Sequence, residues 1–156
     1  MRYLIIIMLL TSGCGVLVDK SQRIDEELLP YVQDFTELTG MNVDHSVVFT
    51  DLNTEKLIKE RGGTYINGLC TIWGPSGMQQ LTVLIDEHSW ATMNEDGREQ
   101  LMIHELAHCS GARLKHDDAL LSNGCPTSIM YPYSFGSGAC YSMLKTYYYK
   151  QIQEAL

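Results

Sequence analysis

His104-Glu105-Leu106-Ala107-His108 places two imidazoles four residues apart with a carboxylate between them. On a helix, side chains four apart lie on one face a turn from each other, so both rings can reach one metal ion. Glu105, about 100° round the helix from His104, can reach a water on that metal and take its proton. The chemistry that suits this pattern is metal-assisted hydrolysis. A solvated helix face is the bland reading of the same residues, and it asks nothing of the rest of the chain. A catalytic zinc site asks for more, because it usually has three protein ligands and one open position. The next histidine is His116, followed directly by Asp117 and Asp118. His45 and His88 have no partner at metal spacing and read as surface or hydrogen-bonded histidines.

These residues need a helix to hold them. Asn94 or Asp96 is a capping residue for a helix over about 97–110, and Gly111 is a stop signal after it. Upstream, 80–86 (QLTVLID) is rich in β-branched residues and reads as a strand, as do 43–52 and 64–73, while 74–77 reads as a turn. A short helix capped by Asn53 is expected over 53–61. Residues 21–38 carry apolar positions at helical spacing, and Pro30 marks either a kink or a late true start. The chain closes on a helix over 141–155, with Leu144, Tyr148 and Ile152 facing inward. This order of elements is that of an α+β domain.

HExxH with Gly111 three residues on resembles the metzincin metallopeptidases, whose pattern continues to a third histidine where this chain has Leu114. His116 lies two residues later and is followed by Asp117, so a two-residue insertion after the glycine restores the triad; the resemblance thus makes His116 the third ligand, with Asp117 or Asp118 as the fallback. Ser128-Ile129-Met130-Tyr131-Pro132 resembles the metzincin Met-turn, whose methionine, here Met130, packs beneath the metal-binding histidines. The resemblance implies a small zincin domain, with a mixed twisted sheet over the HExxH helix, the Met-turn and a C-terminal helix. It implies Zn²⁺ held by His104, His108 and His116, and Glu105 as general base in peptide-bond hydrolysis. Tyr131 and Tyr133 flank the position of the family's zinc-approaching tyrosine and are candidate oxyanion donors. Residues 81–86 take the place of the family's edge strand, which adds a substrate strand; an ordinary core strand is the competing reading. A glutamate ligand on a later helix, as in gluzincins, has only Glu154 to draw on.

The chain has 156 residues, with 11 Lys and Arg against 19 Asp and Glu, a net charge of −8. It contains no basic run, which argues against nucleic-acid binding. Arg2, the apolar run 3–10 and small residues before Cys14 have the anatomy of a bacterial secretion signal. Residues 10–14 resemble a lipobox, which implies cleavage before Cys14 and lipidation on it; a buried N-terminal strand is the alternative. The expected organisation is a signal peptide over 1–13, a lipidated linker over 14–20 and a metallopeptidase domain over 21–156. The protein would then face the periplasm or exterior from a bacterial envelope membrane, as a monomer acting on a peptide or protein substrate. A bacterial and a phage-encoded lipoprotein would read alike.

In an exported chain the four cysteines after Cys14 favour two disulfides. Cys109 follows the second candidate ligand and Cys125 precedes the Met-turn, so Cys109–Cys125 is the expected pair, leaving Cys70–Cys140. The rival function is a non-catalytic zinc-binding envelope lipoprotein working through a protein partner. Glu105 argues against it, since a structural zinc site closes its fourth position and has no use for a base.

Overall fold

The computed structural model describes residues 22–73, 80–110, 114–133, 135 and 139–155. Its centre is a three-stranded sheet of β1 (Ser46–Thr50), β2 (Gly68–Trp73) and β3 (Gln80–Asp86), in the order β1-β3-β2. β1 runs parallel to β3, with Val47 opposite Val83. β2 runs antiparallel to β3, with Cys70 opposite Val83. Val83, Leu84 and Ile85 are all buried, and such an unbroken apolar run is what a strand covered on both faces requires. This corrects the expectation that 81–86 is an edge strand able to add substrate: β3 is central and paired on both sides, and β1 and β2 are the outer strands among the described residues.

The described residues also form five α-helices, α1 (Leu29–Thr39), α2 (Glu55–Glu60), α3 (Glu87–Thr92), α4 (Glu95–Cys109) and α5 (Ala139–Glu154). The result is an α+β domain with a mixed sheet. α1 starts late, with Pro30 in its first turn, where the missing N–H costs nothing. It ends at Gly40, whose φ of 72° suits a residue without Cβ. Ahead of it, Ile24 forms a parallel bridge to Val47. α2 is capped by Thr54, not Asn53, which instead makes two hydrogen bonds to the backbone of Ile66. α3 is an addition to the expected elements; Asp86 ends β3 and caps α3 by accepting from Ser89 N–H at 2.8 Å.

The main core joins the sheet to α4, with α1 and α5 packed on α4 and on each other, and includes Leu28, Phe35, Val83, Ile85, Trp90, Met102, Leu106, Tyr148 and Ile152. A smaller cluster of Val48, Leu52 and Leu84 fills the opposite face. α5 faces Tyr148 and Ile152 inward as expected, with Leu144 half-buried beside them. His45 is not a surface residue: it is buried, with Nδ1 3.5 Å from the Asp44 carboxylate and no hydrogen-bond partner for Nε2 among the described residues.

Candidate metal centre and cleft

α4 is buried on nearly every side along its second half, from Met102 to Ala107, because it lies between the sheet and the other helices. Its start is fixed by Asn94, whose side chain accepts from Gly97 N–H at 2.9 Å. Starting there, the helix carries His104, Glu105 and His108 into one cleft. His116 comes to the same point from the segment after α4. The Nε2 atoms form a triangle: 3.1 Å between His104 and His108, 3.0 Å between His108 and His116, and 3.3 Å between His104 and His116. Three donors on a tetrahedral zinc with bonds of ~2.0–2.1 Å stand about 3.3 Å apart.

The outer nitrogens fix what the inner ones can do. His104 Nδ1 lies 2.9 Å from the Ile129 carbonyl, and His108 Nδ1 lies 2.7 Å from the Leu114 carbonyl. A carbonyl only accepts, so both Nδ1 atoms carry hydrogen and both Nε2 atoms of the neutral rings present lone pairs. Those lone pairs face each other at 3.1 Å, and His116 can supply a proton to only one of them. A cation at the centre satisfies all three, so the donor set fits a metal. Burial favours the neutral rings the metal needs: it pushes His104 down to about 4, helped by neighbouring His108 and His116, and lowers His108 as well.

Asp117 and Asp118 are exposed and do not join the three nitrogens. Nor is Asp117 seen bonded to His116. Its carboxylate accepts from Ala119 N–H at 3.1 Å and Thr127 Oγ at 3.0 Å, and its own N–H donates to the Met130 carbonyl. These bonds tie the segment after His116 to a tight turn over Ser128–Tyr131, closed by Tyr131 N–H on the Ser128 carbonyl. Met130 is buried in the main core, and the carbonyl beside it, that of Ile129, is the one that orients His104. α5 props this turn from behind, through Tyr148 O–H on the Pro126 carbonyl and Gln151 on the Thr127 carbonyl.

The disulfides join Cys70 to Cys109 and Cys125 to Cys140, correcting the expected Cys109–Cys125 and Cys70–Cys140. The reason is the position of β2, which lies along α4 and brings Cys70 beside the helix's last residue. Cys125 lies instead against the start of α5. Gly111 and Cys14 fall outside the described residues.

Glu105 is buried, with its side chain against the backbone of β2. Burial pushes its carboxyl up to about 8, opposed by a hydrogen bond from the Cys70 backbone N–H. The cleft around it has a volume of about 1280 Å³ and runs between β2, α3, α4 and the segment 131–133. Tyr131 and Tyr133 both line it, and their rings meet edge to face at 5.5 Å. His88 lies at its side, exposed and apart from the three nitrogens. No Lys, Arg or Asp is among its described lining residues. Gly68, where Glu105 meets β2, went unmarked in the sequence; a glycine inside a strand pattern is the signal of close approach that could have found it.

An α+β domain with three convergent histidine nitrogens and a buried glutamate beside them is the architecture of a metal-dependent hydrolase. A family model described as "Putative phage metallopeptidase" matches residues 20–132, and the chain belongs to that family. No curated protein and no solved structure matches the chain.

Proposed function

We propose that this protein is a metzincin-like zinc endopeptidase, with His104, His108 and His116 as metal ligands and Glu105 as general base. The observation that carries the reading is the triangle of Nε2 atoms on the helix that also carries Glu105. His104, His108 and His116 would hold the zinc ion, which would supply Lewis acidity and make a nucleophilic water available near neutral pH. Glu105 accepts the proton of the attacking water and returns it to the leaving amine. Tyr131 and Tyr133 line the same cleft and are the candidate donors to the developing oxyanion.

The substrate is an extended peptide laid along the outer edge of β2, which no strand pairs among the described residues and on which Cys70 N–H is already engaged by Glu105. Leu69 and Ile72 on that strand, with Tyr65 and Tyr133 at the rims, are exposed apolar residues bordering the cleft. Together with the absence of Lys, Arg and Asp from the described lining, they favour uncharged, apolar residues around the scissile bond. Glu105→Ala is expected to retain bound zinc and lose peptidase activity by at least ~10², the scale of general acid–base catalysis. Metal content and cleavage of a quenched fluorescent peptide with apolar residues at its centre check this. Full activity in the variant would overturn the reading.

A further inference from the structure

The contact between Glu105 and β2 has an unusual requirement. A methyl group at position 68 would stand 2.7 Å from Glu105 Cγ and 2.9 Å from both Cδ and Oε1. All three are closer than a side-chain carbon tolerates. Gly68 is not among the described glycines with positive φ, so its backbone conformation does not call for glycine. What calls for it is the carboxylate-bearing arm of Glu105, which occupies the space a Cβ would fill. Two residues on, the backbone N–H of Cys70 donates to the Glu105 carboxylate, and the Cys70–Cys109 bridge ties that strand to the end of α4. Glu105 is thus held by a notch, a donor and a covalent tie, all on β2.

We infer that Gly68 is a positioning residue for Glu105: the missing side chain on β2 is what lets the carboxylate lie where it serves the cleft. This rests on the reading of Glu105 as general base. An alanine at 68 forces Glu105 Cγ from 2.7 Å to at least the 3.4 Å of ordinary contact. The neighbour is a flexible side chain, so it yields by swinging away while the fold stays intact. Misplacement of a reacting group by about 1 Å can cost on the order of 10² in rate. The effect therefore falls on kcat and spares zinc and substrate binding.

The test compares four zinc-loaded full-length proteins: the parent, Gly68→Ala, Glu105→Ala and Gly68→Ala/Glu105→Ala. The readouts are kcat and KM on the quenched apolar peptide, bound zinc, and Tm. Gly68→Ala is expected to keep stoichiometric zinc and a KM within about twofold while kcat falls roughly 10- to 100-fold. Its Tm cost, whatever its size, is expected to vanish in the Glu105→Ala background, where the methyl meets no arm. An unchanged kcat in Gly68→Ala beside an inactive Glu105→Ala would overturn the inference and leave the proposed function standing. An active Glu105→Ala would overturn the proposed function itself. If Gly68→Ala fails to fold, folding of the double variant supports the notch, and its failure to fold overturns it.

Discussion

A carboxyl with almost no access to water, as Glu105 is, keeps its proton far longer than one in the unfolded chain. Burial raises it from the ordinary 4.5 to about 8, against the opposing bond from Cys70 N–H. In the metal-free protein this has a definite sign. Between pH 4.5 and 8 the folded form holds a proton that the unfolded form has released, so stability is fully present below 4.5 and is lost as pH rises through about 8. His104 and His108, lowered by burial, act oppositely, losing stability as pH falls below 6.5. Glu105→Gln keeps the shape and the histidines but removes the titrating group. Its Tm relative to the parent, measured in a chelator, is expected to rise steadily from pH 4.5 to 8. A difference that does not change with pH would show that Glu105 does not titrate in this way.

β2 depends on α4 for more than packing, because Cys70–Cys109 links them across 39 residues, while Cys125–Cys140 spans 15. In the chain-entropy account the longer loop contributes about 4 kcal/mol and the shorter about 3. Replacing Cys70 and Cys109 by serine is expected to cost more stability in denaturant titration than replacing Cys125 and Cys140. In the still-folded fraction it also frees β2 from the helix that carries Glu105, so kcat should fall further than with the other pair. Equal effects of the two pairs would contradict this. The pairing itself was not legible in the sequence, since it depends on which strand lies beside which helix. The same is true of β3, whose β-branched run signalled a strand but not its central place. What was local was legible: the capping site, offered as Asn94 or Asp96 and taken by Asn94, the helical frame of His104, Glu105 and His108, and the inward face of α5. His116 was reachable through the metzincin pattern once two extra residues after Gly111 were allowed. α3 was missed because it is only six residues long and shares Asp86 with the strand before it. Gly68 escaped because its reason lies in a side chain 37 residues away in sequence.

The three histidines belong to two parts of the chain that no disulfide joins: the end of α4, and the segment after it that leads into the Ser128–Tyr131 turn. Behind that turn, Tyr148 and Gln151 of α5 and the Cys125–Cys140 bridge hold it in place. A metal ion held by all three rings therefore ties α4, the His116 segment and, through the turn, α5 into one unit. It also satisfies the facing Nε2 lone pairs of His104 and His108, 3.1 Å apart. Binding to the folded chain alone stabilises it by mass action, about 4 kcal/mol when free zinc is 1,000-fold above Kd. For a domain of this size that corresponds to a Tm rise of roughly 8–16 °C, at about 2–4 °C per kcal/mol. Calorimetry with buffered zinc and with chelator measures it. His116→Ala should remove most of the rise and Asp117→Ala should not, since the Asp117 carboxylate accepts from Ala119 N–H and Thr127 Oγ and lies apart from the three nitrogens. A zinc-dependent rise that survived in His116→Ala but was lost in Asp117→Ala would move the third ligand to that carboxylate.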